Sequence, residues 1–166
     1  MRKYHQRNFL IPTAERQAQD EACFRLGFIS YAEFMRSSIS GLSYLADIEA
    51  KRGELCVCRT EGNVDVISIK TLLSREARDI DKERCHVNVT KWTMSLLKNL
   101  QRHPLLPDQD LIGRVAARFM TQLVTETDAG GEFFVDGPGP VRSVVFSPLL
   151  GITAQNGPLS VRSGPQ

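Results

Sequence analysis

Residues 8 to 12 read Asn8-Phe9-Leu10-Ile11-Pro12, and beyond a helical stretch residues 27 to 36 read Gly27-Phe28-Ile29-Ser30-Tyr31-Ala32-Glu33-Phe34-Met35-Arg36. The first segment, taken from Gln6, has the alternation of a short strand, and Pro12 stops it because proline has no backbone donor. Thr13 is expected to cap a helix whose Ala14, Ala18, Ala22 and Leu26 recur along one face. Gly27 supplies the left-handed stop. Ser30 and Glu33 read as a capping box, the serine oxygen accepting from first-turn amides while the glutamate reaches back. The helix that follows keeps Phe34, Met35, Ile39, Leu42, Leu45 and Ala46 on its buried side and extends to about Lys51.

Past Gly53, Leu55 to Arg59 and Val64 to Lys70 look like a hairpin turning through Thr60-Glu61-Gly62-Asn63, and Thr71 to Ile80 a short charged helix. The opening pattern then returns. Cys85-His86-Val87-Asn88-Val89 alternates like a strand, and Lys91 to Arg102 has Trp92, Leu96, Leu97 and Leu100 at helical spacing. Trp92 is expected in the core or at its rim. Pro104 to Pro107 turns the chain, and Asp108 caps a helix over Leu111 to Val124. A shift of 78 residues lays the first unit on the second without a gap: Phe9 and Ile11 fall on Val87 and Val89, Ser30 on Asp108, and Arg36 on Arg114. Residues 128 to 166 read as a Gly/Pro-rich tail, with a short strand around Val141 to Phe146 and disorder over the last ten residues.

Strand, helix, Gly-x-x-Ser-x-x-Glu-Phe-Met-Arg, helix resembles the ribbon-helix-helix family of DNA-binding proteins. The residues that carry the resemblance are Asn8 to Pro12, Gly27, Ser30, Glu33, Phe34 and Arg36. Two such units in one chain, over residues 4–50 and 84–126, are similar to TraY-type conjugation accessory proteins and to the VirC-operon DNA-binding accessory protein of T-DNA transfer. The resemblance implies a mostly α fold with short β: a tandem ribbon-helix-helix pseudo-dimer over residues 1–127, with a hairpin and short helix inserted at 54–82. It further implies a monomer that binds double-stranded DNA through an antiparallel ribbon in the major groove. The relaxase or the partitioning ATPase of a transfer complex would be a protein partner.

Period two then names the readers. With Phe9, Ile11, Val87 and Val89 inward, Gln6, Asn8 and Leu10 on one strand and Arg84, His86 and Asn88 on the other face the bases. Asn and Gln suit adenine, Arg suits guanine, and Leu10 can touch only a thymine methyl. Phosphate contacts are expected from Arg2, Lys3, Arg7 and Lys91. By the resemblance they are also expected from the start of the second helix at Ser30 and Tyr31, whereas Asp108 at the equivalent place would repel phosphate.

Charge distribution agrees with a polyanionic partner. The chain of 166 residues carries a net charge of +2, yet its 19 acids all lie outside residues 1–14 and 84–107. Those two stretches hold Arg2, Lys3, Arg7, Arg84, Lys91, Lys98 and Arg102. An ordinary pair of solvated basic faces would look the same by charge alone. Among the nearby residues, Arg36 and Arg114 are as well suited to pairing with helix carboxylates as with DNA.

Other classes find less support. No window is long and apolar enough for a membrane span and no secretory leader opens the chain, so a cytoplasmic location with reduced cysteines is expected. Cys56-Val57-Cys58, with Cys85, His86 and His103, could be imagined around zinc. The C-x-C spacing fits a half-buried strand face better than the usual C-x2–4-C pair, and no metal or cofactor is expected. No hydrolase, nucleotide-binding or zinc-protease motif appears, and His5, His86, His103, Tyr4, Tyr31 and Tyr44 have no catalytic context, so an enzyme is not expected. Two alternatives stand beside DNA binding by a monomer. One is a ligand- or metal-responsive repressor that dimerises through residues 1–50. The other is a protein-interaction adaptor that does not bind DNA.

Overall fold

The computed structural model describes residues 4–76, 81–147 and 151–158, with side chains as far as Val145. The chain runs β1 (Tyr4–Pro12), α1 (Thr13–Arg25), α2 (Tyr31–Ala50), β2 (Glu54–Cys58), β3 (Val64–Ile67) and α3 (Ile69–Leu73). It continues β4 (Lys82–Thr90), α4 (Lys91–Leu100), α5 (Gln109–Asp128), β5 (Glu132–Asp136), β6 (Arg142–Ser147) and β7 (Gly151–Pro158). Among the described residues the strands form two antiparallel sheets, a ribbon of β1 and β4 and a five-stranded sheet in the order β3-β2-β5-β6-β7. The expectation of a mostly α fold with short β is therefore corrected: this is an α/β fold, with a five-stranded sheet in addition to the ribbon.

The reason lies in the repeat, which runs further than the helices. In the ribbon, Asn8 stands opposite His86, and in the second sheet Cys56 stands opposite Phe134. Both pairs are 78 apart, so each residue meets its own counterpart and one pseudo-two-fold relation governs both sheets. β2 and β5 occupy equivalent stretches, and β3 and β6 begin at equivalent positions. The hairpin expected as an insertion is thus part of the repeated unit. Residues 132–147, expected as tail, are its second copy. Disorder was expected over residues 157–166, but residues 157 and 158 end β7; residues 159–166 lie outside the described residues.

Local chemistry explains most boundaries. Gly27, at φ +73°, ends α1 where a side chain would be strained. Ser30 caps α2 by accepting from the Glu33 amide, but the Glu33 carboxylate reaches one residue further back than expected, to the Ile29 N–H. Thr13 does not cap α1: it is the first helical residue, and its amide donates to the Asp81 carbonyl while Pro12 occupies the cap position without a side-chain bond. Ser68 and Thr71 form a capping box that ends β3 at Ile67 and starts α3, earlier than the expected Thr71; residues 77–80 of that expected helix lie outside the described residues.

The buried face of α1 also differs from the expected one. Ala14 and Ala18 are exposed, and Gln19 and Ala22 are buried, because the inward stripe is polar. Glu15 binds Arg118, and Gln19 accepts from the Tyr31 hydroxyl. Arg118, only 6% exposed, lies between Glu15 and Glu76, which supply the charge that makes its burial tolerable. Around this network a single apolar core joins both sheets: Phe9, Ile11, Val87 and Val89 from the ribbon, Phe34, Leu42, Val115 and Phe119 from α2 and α5, and Leu55, Val57 and Phe133 from the second sheet. Trp92, expected in the core or at its rim, is 69% exposed.

Candidate nucleic-acid interface

The ribbon presents two unlike faces. Phe9, Ile11, Val87 and Val89 are fully buried beneath it. On the other face the six expected readers come together as three directly opposed pairs: Gln6 with Asn88, Asn8 with His86, and Leu10 with Arg84. All are exposed except Leu10, which is half-buried. The burial alternation thus agrees with the strand register inferred from period two.

The central pair is not independent. Asn8 Oδ1 and His86 Nδ1 are hydrogen-bonded across the ribbon. With a neutral imidazole, Nδ1–H donates to the amide oxygen, which leaves Asn8 Nδ2 as a donor and His86 Nε2 as an acceptor. Asn8 can therefore offer both its oxygen and its nitrogen to an adenine, as the sequence reading assumed, only by sharing that oxygen with His86 through its second lone pair.

Two arginines brace the ribbon from the side. Arg36 of α2 donates to the Asn88 carbonyl, and Arg114 of α5 donates to the Leu10 carbonyl at 3.4 Å. Leu10 and Asn88 are themselves 78 apart, as are the two arginines, so these bonds are equivalent under the pseudo-two-fold. Arg114 also pairs with Glu76, as foreseen for a helix carboxylate, while Arg36 lies over the Tyr4 ring. Asp110 closes the edge further by accepting from the Leu10 amide at 3.0 Å. An exposed ribbon has free backbone edges, and these side chains satisfy part of them and fix how the ribbon sits on the helices. Sequence reasoning missed Asp110, and the shared offset of Arg36 and Arg114 was the available signal for their paired role.

The expected phosphate contacts separate. Arg2 and Lys3 lie outside the described residues. Arg7 points to the helical side of the ribbon, in the same set as Phe9 and Ile11, and not to the face of the readers. Lys91 is exposed at the start of α4. Ser30 is exposed but engaged as the α2 cap. The Tyr31 side chain turns inward: it stacks on Phe34, lies under the Arg16 guanidinium and donates to Gln19, and burial pushes its hydroxyl far above the usual phenol range. Its side chain is thus unsuited to a phosphate contact. At α5 the equivalent place is acidic, with Asp108 accepting from the Leu111 amide.

The cysteines and histidines considered for zinc are not brought together. Cys56 and Cys58 lie on β2 in the second sheet, Cys85 on β4, and His103 accepts from the Leu105 amide. Among the described residues no group of three or more His, Cys, Asp or Glu is placed to hold a metal. Burial raises the Cys85 thiol while the nearby Arg16 opposes that rise, and Arg16 donates to its sulfur. No described helix is long and apolar enough to cross a membrane. No family model, curated protein or solved structure matches the chain.

Proposed function

We propose that the chain binds double-stranded DNA in a sequence-specific way, with the β1/β4 ribbon entering the major groove. One observation carries this reading: five exposed polar side chains and Leu10 stand as three cross-strand pairs on the solvent face of a ribbon whose other face is the core. A major groove about 12 Å wide admits a two-stranded ribbon, and alternate side chains then meet base edges. Gln6 and Asn88 form one outer pair, Leu10 and Arg84 the other, and the Asn8–His86 bridge the centre.

The dimerising repressor is less well supported, because β1 already has its strand partner within the same chain. That pairing supports the reading of a monomeric protein. The process it serves, assembly of a DNA-transfer complex with a relaxase or partitioning ATPase in the cytoplasm, comes from the resemblance of the strand–helix–helix units to conjugation accessory proteins. Selection from random duplex DNA, scored at two salt concentrations, tests the central claim. Enrichment of a common site at both salts is expected. Equal retention of every sequence would remove base reading, and absence of binding at low salt would remove DNA as the partner.

A further inference from the structure

The two flanks of the ribbon are equivalent by sequence offset yet opposite in charge. On one flank β1 and α4 enclose a groove of about 450 Å³ lined by His5, Arg7, Lys91, Met94, Ser95 and Lys98. Its counterpart between β4 and α1 is a groove of about 860 Å³, where Thr13 and Asp20 stand at the positions of Lys91 and Lys98, and Glu83 at that of His5. The first groove is lined by three fixed cations and no carboxylate. The second sets Asp20, Glu21 and Glu83 against Arg16 and Arg25.

The cations of the second groove are already paired: Arg16 with Asp20 and Glu83, and Arg25 with Asp128. In the first groove, Arg7, Lys91 and Lys98 have no carboxylate partner among the described residues. The Arg7 Nε is also buried without an acceptor. A charged donor withheld from water in this way is costly, and an anionic oxygen would satisfy it.

We infer that the β1/α4 groove binds backbone phosphates, and that the protein grips DNA on this flank only, so that it sits on the duplex in one orientation. This inference rests on the reading of the ribbon as the DNA-facing surface. Each ribbon strand has nine residues. At about 3.3 Å per residue such a strand is roughly 30 Å long, so a ribbon lying along a major groove about 12 Å wide has a phosphate wall beside each strand over that length. His5 and Lys91 stand at the end where Tyr4 pairs with Thr90. At the opposite end, where Pro12 pairs with Lys82, Glu83 stands in the place of His5 and Thr13 in that of Lys91. The sequence repeat is two-fold in shape and one-sided in electrostatics.

Fluorescence anisotropy with a short random-sequence duplex over a salt series reads this directly. For Lys91→Ala with Lys98→Ala, the log–log salt slope should flatten by about 1 to 2 units, because each lost phosphate contact removes about 0.9. Each single substitution should flatten it by about half as much, and Lys91→Arg with Lys98→Arg should retain it. Thr13→Ala with Asp20→Ala, at the equivalent positions, should not flatten it. Both lysines are exposed, so thermal melting should show the same fold in every variant. If the wild type binds and the lysine variants keep its slope, the groove is overturned while the ribbon reading stands. If both flanks flatten the slope alike, one-sided grip is overturned. If the wild type does not bind duplex at low salt, the ribbon reading and the groove are overturned together.

Discussion

Gly113 of α5 lies directly under the Phe9 ring, and replacing it with alanine tests how tightly the ribbon is seated. A Cβ there would fall well inside contact distance of Phe9 Cδ1 and 3.0 Å from Cγ and Cε1. Phe9 is 0% exposed, so its ring has no solvent side to move towards. Forcing one methyl into such a core costs about 1–3 kcal/mol, and the better helix propensity of alanine returns only about 0.5–1 kcal/mol. Gly113→Ala alone should therefore destabilise the protein by roughly 1–2 kcal/mol. The equivalent positions, Val87 and Met35, carry the small and the large residue the other way round. Phe9→Val with Gly113→Ala should accordingly relieve the clash, and in the Phe9→Val background the alanine should be neutral or stabilising. The cycle predicts a coupling energy of about 2 kcal/mol, within the range found for contacting residues. Urea unfolding followed by circular dichroism measures it, with the midpoint moving at constant slope. If the alanine has the same effect in both backgrounds, to within about 0.5 kcal/mol, the ring is not packed on Gly113 and the seating of the ribbon described here is wrong.

Three further outcomes are expected. Asn8→Ala should relax preference at one or two base positions, with about 1–3 kcal/mol of discrimination lost and the melting temperature little changed, whereas equal weakening on all sequences would make Asn8 a phosphate contact. Despite burial that acts in the opposite direction, hydrogen bonds from Arg118 and Arg114 hold the Glu76 carboxyl below the usual range; its stabilising contribution is complete above the ordinary glutamate range and is lost as pH falls through the lowered value, so Glu76→Gln should make the acid limb of a pH–stability curve shallower, and an unchanged limb would refute that role. With both ribbon strands in one chain, light scattering at micromolar concentration without DNA should give a monomer; a stable dimer would instead favour the repressor reading.

Much of the ribbon and its helices was legible in the sequence because period two, Pro12, Gly27 and the Ser30 cap act locally. The second sheet was legible too, at the same offset, in Gly53, Glu54 and Val57, which recur as Gly131, Glu132 and Val135. The composition of Gly137-Pro138-Gly139-Pro140 masked it, since a turn between two strands and a flexible tail use the same residues. The inward face of α1 was misread because alanine spacing is a weak signal, and the true stripe is buried through ion pairs and hydrogen bonds with distant residues. For the candidate site, the strand period was enough to place the six expected readers on one face of the ribbon. That Asn8 and His86 bond each other depends on register between segments far apart in the chain, and that Tyr31 turns inward depends on Gln19 and Arg16; neither follows from local pattern.

The pairing of β1 with β4 also has a consequence during synthesis. The first strand emerges from the ribosome with Phe9 and Ile11 ready for burial, yet its partner lies 78 residues downstream. At about 5–20 residues per second, the nascent chain waits several seconds before that partner exists. Contacts this distant close more slowly than local ones. The first half is therefore a strand–helix–helix–hairpin piece with an unsatisfied apolar ribbon face, exposed to chaperones or to pairing with another nascent chain. Competence for the ribbon's partner arises late and abruptly, with the arrival of Lys82 to Thr90.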